Sequence, residues 1–349
     1  MRRLRLFFLK SLLLCGALLV VFALCHHVVP AWVHSRSDEF PEAAPPAPSQ
    51  ISTSSASPGP VSPEALGAPE ETDGEKSSAV PEEDSRTPWQ IRFADRFTEG
   101  VEISDDSYTS PTVSVNIETV STEADGDPLV YYVADIYLAD IHSFATYLAG
   151  GSYSDYKKAT VQEMSREAGA ILAVNGDFYN SHKYATMVRN GEWFRDWTTY
   201  WDVCVLYEDG TMETLLADSY SVDALKEKPV WQLWCFGPAL LDGEGNPSES
   251  FNMSDSVVNA KHPRCGIGYY EPGHYCFVMV DGRDHTWSKG VTVAEFAQVF
   301  ADLGCRVAYN LDGGGSAAMA FRQELYSHPS NGDRDIADIL YICEPEEAK

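Results

Sequence analysis

Gly169-Ala-Ile-Leu-Ala-Val-Asn-Gly-Asp177 and Gly304-Cys-Arg-Val-Ala-Tyr-Asn-Leu-Asp312 align without a gap, and their reading decides the fold. Each follows a segment with helical spacing. Thr160 and Glu163 form a capping box ahead of Val161, Met164 and Ala168; Thr292 and Glu295 form another ahead of Val293, Phe296, Val299, Phe300 and Leu303. Gly169 and Gly304 supply the helix stops. Each unit then enters an apolar run that ends in Asn-x-Asp. A glycine and an apolar run are common to any helix-to-strand unit, so the likeness alone also fits coincidence. The shared Asn-x-Asp is more particular. It predicts that two strand ends aim Asp177 and Asp312 at one site, within the roughly 15 Å that one substrate can bridge.

Outward from these units, Val-, Ile- and Tyr-rich runs bounded by Gly, Pro, Asp or Asn read as strands at 112–120, 130–138, 203–207, 265–270, 275–280 and 339–342. Glu271-Pro-Gly-His274 is a hairpin loop between two of them. The predicted fold class is α+β: a strongly twisted mixed β-sheet system with a few packed helices, in a single globular domain over residues 89–349.

The first 88 residues read differently. Arg2, Arg3, Arg5 and Lys10 precede an uncharged run over 11–29, long enough at about 1.5 Å per residue to cross a bilayer as a helix. The arginines would stay on the cytoplasmic side and send the C-terminus out. A cleaved signal peptide with Ala23 and Cys25 before the cut is the competing reading. Residues 1–33 are thus expected to be a cytoplasmic tip and membrane anchor, which places the domain outside a single-pass cell membrane protein. Residues 34–88, rich in Pro, Ser and Glu, cannot bury enough apolar surface to offset their ordering entropy and read as a disordered stalk. A net charge of -27 argues against a nucleic-acid partner.

Of 8 cysteines, Cys15 and Cys25 fall in the anchor region. Cys204, Cys235, Cys265, Cys276, Cys305 and Cys343 lie mostly in apolar runs, open to disulfides or to burial as small hydrophobes. No pair has zinc-type spacing, and no metal or cofactor is expected.

Asn310-Leu-Asp-Gly-Gly-Gly-Ser316 carries most of the chemistry. Three glycines would ruin a helix or strand interior, but they let a backbone approach a ligand and turn N–H groups on an anion. A carboxylate just before them, Asp312, would sit at that ligand; a flexible turn with a solvated Asp is the bland alternative. Ser316 lacks a nucleophile elbow and reads as a phosphate or loop-shaping residue. Asn175-Gly-Asp177 places an amide and a carboxylate at the partner strand's end, or makes a plain turn. Arg264 opens one strand of the hairpin, and Asp281-Gly-Arg283 closes the other. Two guanidinium forks on one sheet edge suit a phosphate diester, although a lone Arg is more often a surface ion pair.

Seven segments together are similar to the phosphodiester glycosidase family: Asn175-Gly-Asp-Phe-Tyr, Val188-Arg-Asn-Gly191, Phe236-Gly-Pro-Ala-Leu240, Pro263-Arg-Cys-Gly-Ile-Gly268, Asp281-Gly-Arg283, Ser288-Lys-Gly-Val-Thr292 and Asn310-Leu-Asp-Gly-Gly-Gly-Ser316. Cys265 departs from the Thr or Ser that commonly follows the arginine. The resemblance implies hydrolysis of a bond between an anomeric carbon and a phosphate esterified to a second group, in cell-envelope or exported glycans such as exopolysaccharide. On this reading Asp177 and Asp312 are catalytic. Arg264, Arg283 and the Gly313, Gly314 and Gly315 amides hold phosphate, with Asp281 and Ser316 beside them. Asn175 and Asn310 orient sugar hydroxyls or an acetamido group. Two other classes stay open: a non-catalytic glycan-binding module, and a metal-dependent phosphodiesterase using Asp177, Asp281 and Asp312 as hard-cation ligands.

Overall fold

The computed structural model describes residues 86–345, apart from 125, 155 and 218. The expected anchor and nearly all of the expected stalk therefore lie outside the described residues. No helix among the described residues is long and apolar enough to cross a membrane.

The first described element runs across the expected boundary at 89. Helix Pro88–Arg92 is capped by Thr87, whose hydroxyl also donates to the carbonyl of Ala139 at 2.9 Å. That bond ties the entry segment to the sheet behind it.

The α+β expectation is met by three sheets with a few short helices. The largest has seven strands and is built around the hairpin Arg264–Glu271 and His274–Val280. Asp127–Leu138 flanks this hairpin on one side, and Val307–Asn310 closes the sheet as its edge on the other. A five-stranded sheet carries Val203–Tyr207, Val230–Trp234 and Met187–Arg189 in its middle. A second five-stranded sheet has Leu172–Asn175 between Met319–Phe321 and Asp338–Ile342. The ladders between these strands are antiparallel. Val113, Val115 and Ile117 share one face of their strand and are buried, with Asn116 between them exposed; beyond Ile117 the strand leaves the core and most residues on both faces are exposed.

One core joins all three sheets, with Val115, Ile136, Ile267 and Phe277 from the large sheet meeting Leu172, Val174 and Leu340 from one small sheet and Leu206 and Trp234 from the other. Both predicted capping boxes form, with Thr160 and Glu163 on helix Val161–Ala168 and Thr292 and Glu295 on helix Val293–Asp302. Val293, Phe296, Ala297 and Phe300 of the second helix pack on Cys276, Val278 and Val280 of the large sheet. Gly169 ends the first helix at φ 67°. Cys204, Cys235, Cys265, Cys276 and Cys305 are buried as thiols, in line with the small-hydrophobe reading.

Candidate active site

The two Asn-x-Asp strand ends meet. Asp312 donates its N–H to the carbonyl of Gly176 at 3.2 Å, and Asn175 Nδ2 donates to the carbonyl of Asp312 at 2.6 Å. The strands belong to different sheets, so this contact stitches the large sheet to a small one.

Behind the junction lies a group that sequence reading missed. Arg189, fully buried at the end of strand Met187–Arg189, donates from Nη2 to Asp177 Oδ1 at 2.8 Å and to Asp338 Oδ2 at 3.2 Å. Its Nη1 donates to the carbonyls of Val188 and Leu233. Asp177 Oδ2 accepts the N–H of Cys235 at 2.8 Å. Both Asp177 oxygens are therefore committed to protein donors, and the side chain is 2% exposed. Burial pulls the Arg189 pKa down, but Asp177 and Asp338 beside it more than offset this, leaving it above its ordinary value. Burial first, and the Asp177 carboxylate second, push Asp338 up to about 7. Its Oδ1 accepts no hydrogen bond from the protein, which costs less for a neutral carboxyl than for an ionised one. A Cβ on Gly176 would collide with this carboxyl, so only glycine lets the strand end pass so close.

Asp312 keeps access to solvent that Asp177 and Asp338 lack. Burial raises its pKa; the Ser316 hydroxyl, the Gly313 N–H at 2.9 Å from Oδ1 and the charge of Arg334 pull the other way. It is thus a half-buried carboxylate, backed by the buried carboxylates of Asp177 and Asp338.

The glycine run wraps this acid. The Gly313 N–H goes to Asp312 and the Gly314 N–H to the carbonyl of Pro263 at 2.9 Å, so neither amide is directed at a phosphate as the sequence reading expected. The space above them is filled by Arg283, Arg334 and the Asn331 amide. A Cβ on Gly314 would lie 2.7 Å from Arg283 Nη2, and one on Gly315 would lie 3.1 Å from Arg334 Nη1. Arg283 is exposed and sits in the left-handed region at φ 63°, a strained conformation for a side-chain-bearing residue. Phe178, directly after Asp177, is at φ 59°. Gly314 itself has φ +60°. Gly314→Ala should cost about 1–2 kcal/mol in stability for its left-handed backbone. It should also push the Arg283 guanidinium aside, so melting curves and phosphate-ligand affinity should fall together.

Other sequence candidates turn out to hold the scaffold. Arg264 donates from Nε to the carbonyl of Val291 at 3.2 Å and from Nη2 to those of Val257 and Ala260 at 2.9 and 3.0 Å. Burial, helped by Arg283, lowers its pKa to about 10. It clamps the 257–263 loop rather than facing outward. Asp281 accepts from Tyr132 Oη and Trp287 Nε1, each at 2.8 Å, and from the N–H of His328. Asn175 and Asn310 also spend their amides on backbone. Asn310 Nδ2 donates to the carbonyls of Gly237 and Leu311 at 2.8 and 2.9 Å, and Asn175 Oδ1 accepts the N–H of Ala318 at 3.3 Å. Both are about 1% exposed. These asparagines fix the strand ends; a sugar would meet what they position. No three His, Cys, Asp or Glu side chains among the described residues converge as a metal-ligand group. Asp281 in particular is held by Tyr132 and Trp287, not by the Asp177–Asp312 junction.

Known proteins are similar to this chain in sequence and in fold. The chain is 27% identical over 222 residues to N-acetylglucosamine-1-phosphodiester alpha-N-acetylglucosaminidase of Bos taurus, a match covering 56% of this chain and 41% of that protein. It is 28% identical over 198 residues to the SPbeta prophage-derived protein YomE of Bacillus subtilis, covering 54% of this chain and 30% of that one. The chain therefore spans less than half the length of the curated relatives it matches. Its fold is similar to the catalytic domain of the zebrafish N-acetylglucosamine-1-phosphodiester alpha-N-acetylglucosaminidase, auto-inhibited by its pro-peptide, with a TM-score of 0.57, 22% identity and coverage of 75% of this chain and 94% of that one. A hypothetical protein from Synechocystis also shares the fold, with a TM-score of 0.53, 12% identity and coverage of 70% of this chain and 64% of that one. The family profile described as phosphodiester glycosidase matches residues 168–343, from the end of the first helix through Asp177, Arg189, Asp312 and Asp338. With that match spanning both Asn-x-Asp units and the arginine between them, the chain belongs to the phosphodiester glycosidase family.

Proposed function

We propose that this protein hydrolyses a sugar-1-phosphodiester of the N-acetylhexosamine-phosphate type, in exported or cell-envelope glycans such as exopolysaccharide. The observation that carries the reading is the juxtaposition of Asp312, a half-buried carboxylate whose pKa burial raises, with Arg283 and Arg334 over the glycine run. A phosphate monoester is a good leaving group, so such a bond needs less general-acid help than an ordinary glycoside. It needs a carboxylate to activate water or to stabilise charge at the anomeric carbon, and cations around the phosphate. Asp312 supplies the first, and Arg283 and Arg334 the second. Asp177 acts through Arg189 and the Cys235 amide to hold this edge in place.

Arg283→Ala should weaken a phosphate-containing ligand by about ten- to a hundredfold, the loss of one charge-assisted contact of roughly 1.5–3 kcal/mol. Isothermal titration with a sugar-1-phosphate, alongside a melting curve, checks this; unchanged affinity in a folded variant removes the role. The activity is tested with a synthetic N-acetylglucosamine-1-phosphodiester, with and without chelator. Hydrolysis that survives chelation fits the proposal, hydrolysis lost on chelation favours a metal-dependent phosphodiesterase, and binding without turnover favours a glycan-binding module. We further propose that residues 1–33 anchor the chain with the domain outside the cell. Sequencing the N-terminus of the mature protein checks this, and a start just after Cys25 would replace the anchor with a cleaved signal.

A further inference from the structure

Away from the site, two buried thiols meet on the large sheet. Cys276 lies in strand His274–Val280, and Cys305 stands just ahead of strand Val307–Asn310. They are 0% and 2% exposed, and their sulfurs are 3.7 Å apart. A disulfide bonds at about 2 Å, so the sulfurs have less than about 2 Å left to travel.

Strand Arg264–Glu271 runs between those two strands, so the sulfurs can meet only across it. Gly268 leaves the room. It pairs with Cys276 on one side and with Ala308 on the other. A Cβ on Gly268 would lie 2.6 Å from the Cys276 sulfur and 2.7 Å from the Cys305 sulfur. Both thiols therefore occupy the space that a side chain there would take. Phe300 of helix Val293–Asp302 comes within 2.9 Å of the same point and packs with both cysteines in one apolar cluster. A single buried cysteine is a small hydrophobe. Two converging on one glycine from opposite sides are placed to react with each other.

We propose that Cys276 and Cys305 are a disulfide-forming pair, a modification site that staples the strand leading to Asp312 to the strand leading to Arg283. The oxidant is an external disulfide. One cysteine thiolate attacks it, forms a mixed disulfide and releases one external thiolate. The second cysteine thiolate attacks the protein sulfur of that mixed disulfide and releases the other. Two thiol protons leave, and two electrons pass to the oxidant. Burial pushes the Cys276 thiol well above its ordinary pKa, so the finished fold holds a poor nucleophile and the exchange belongs to the folding chain. The extracytoplasmic location proposed above would supply such oxidants. The pairing itself rests on the geometry over Gly268, and it uses none of the side chains assigned to the reaction.

The test refolds the reduced full chain in a mixture of reduced and oxidised glutathione, followed by digestion without reduction and peptide mass mapping. The peptides carrying Cys276 and Cys305 should appear joined, two hydrogens lighter than the separate pair, and should part on reduction. Equilibrium unfolding of the oxidised chain should give a folding constant roughly a hundredfold above that of the reduced chain, because the link constrains the unfolded loop between the two positions. That gain should vanish in Cys276→Ala and in Cys305→Ala. A refolded parent without the joined peptide, a link from either cysteine to a different partner, or an oxidative gain that survives both alanine variants would each overturn the proposal. None of these readouts involves turnover or location, so the hydrolase and anchor readings are judged separately.

Discussion

Replacing Asp312 with asparagine should leave a folded protein whose turnover falls by at least about a hundredfold, since positioned proton transfer alone contributes about a hundred- to ten-thousandfold. The swap keeps an oxygen for the Gly313 N–H and leaves the Ser316 hydroxyl beside it, so the glycine loop keeps its shape. What disappears is the charge and the ability to exchange a proton. A turn aspartate would tolerate the same change, with a stability effect within about 1 kcal/mol and activity intact. Steady-state kinetics on the synthetic phosphodiester, with a melting curve as control, separates the two. A folded Asp312→Asn variant that retains most of its turnover moves the preference to the glycan-binding alternative.

The largest stability effect is expected at Arg189. Replacing it with methionine strands Asp177 and Asp338 in the interior without their cation, which should cost about 3–5 kcal/mol. Adding Asp177→Asn and Asp338→Asn to that variant should recover much of the loss, because three neutral groups need no counter-charge. Denaturant midpoints of the single and triple variants decide this; a triple variant no more stable than the single one would show that the ion group is not the cause. Asp177→Asn alone, which the sequence places in a catalytic pair, should therefore appear first as a stability loss.

Asp338 adds a pH signature. Its folded pKa of about 7 lies above the ordinary carboxylate value of 3.8, so the folded state holds a proton that the unfolded chain releases. The stability tied to that proton is fully present below about pH 4 and is lost as pH rises towards about 7, with a slope of at most about 1.4 kcal/mol per pH unit. Asp338→Asn should flatten that slope. Equilibrium unfolding between those pH values tests it.

Much of the scaffold was legible because its signals are local. A capping box needs residues three apart, and both boxes formed where Thr160 and Thr292 stand. The alignment of two helix–strand units also carried through to Asn175 and Asp312 touching. The direction of polar side chains was not legible. Arg264 and Asp281 read as ligand-facing because they end strands, yet whether such a group turns to solvent or to a backbone carbonyl depends on loops such as 257–263 that pack against it. Arg189 sat inside a family-like motif, but its partner Asp338 is 149 residues away, and no local spacing announces such a pair. A faint signal existed in Asp338 itself, a lone acid opening the apolar strand Asp338–Ile342. Arg334 gave none.

The bond between Asp312 and Gly176 closes the seam between two sheets that already share one core. Hydrogen exchange at the Asp312 amide can occur only when that seam parts, so its protection should report the opening of the whole domain rather than local fraying. Any partial unfolding that frees either sheet would split the reactive carboxylate from its buried neighbours. Activity lost on gentle heating should therefore follow the cooperative transition itself, with no inactive but otherwise intact species before it.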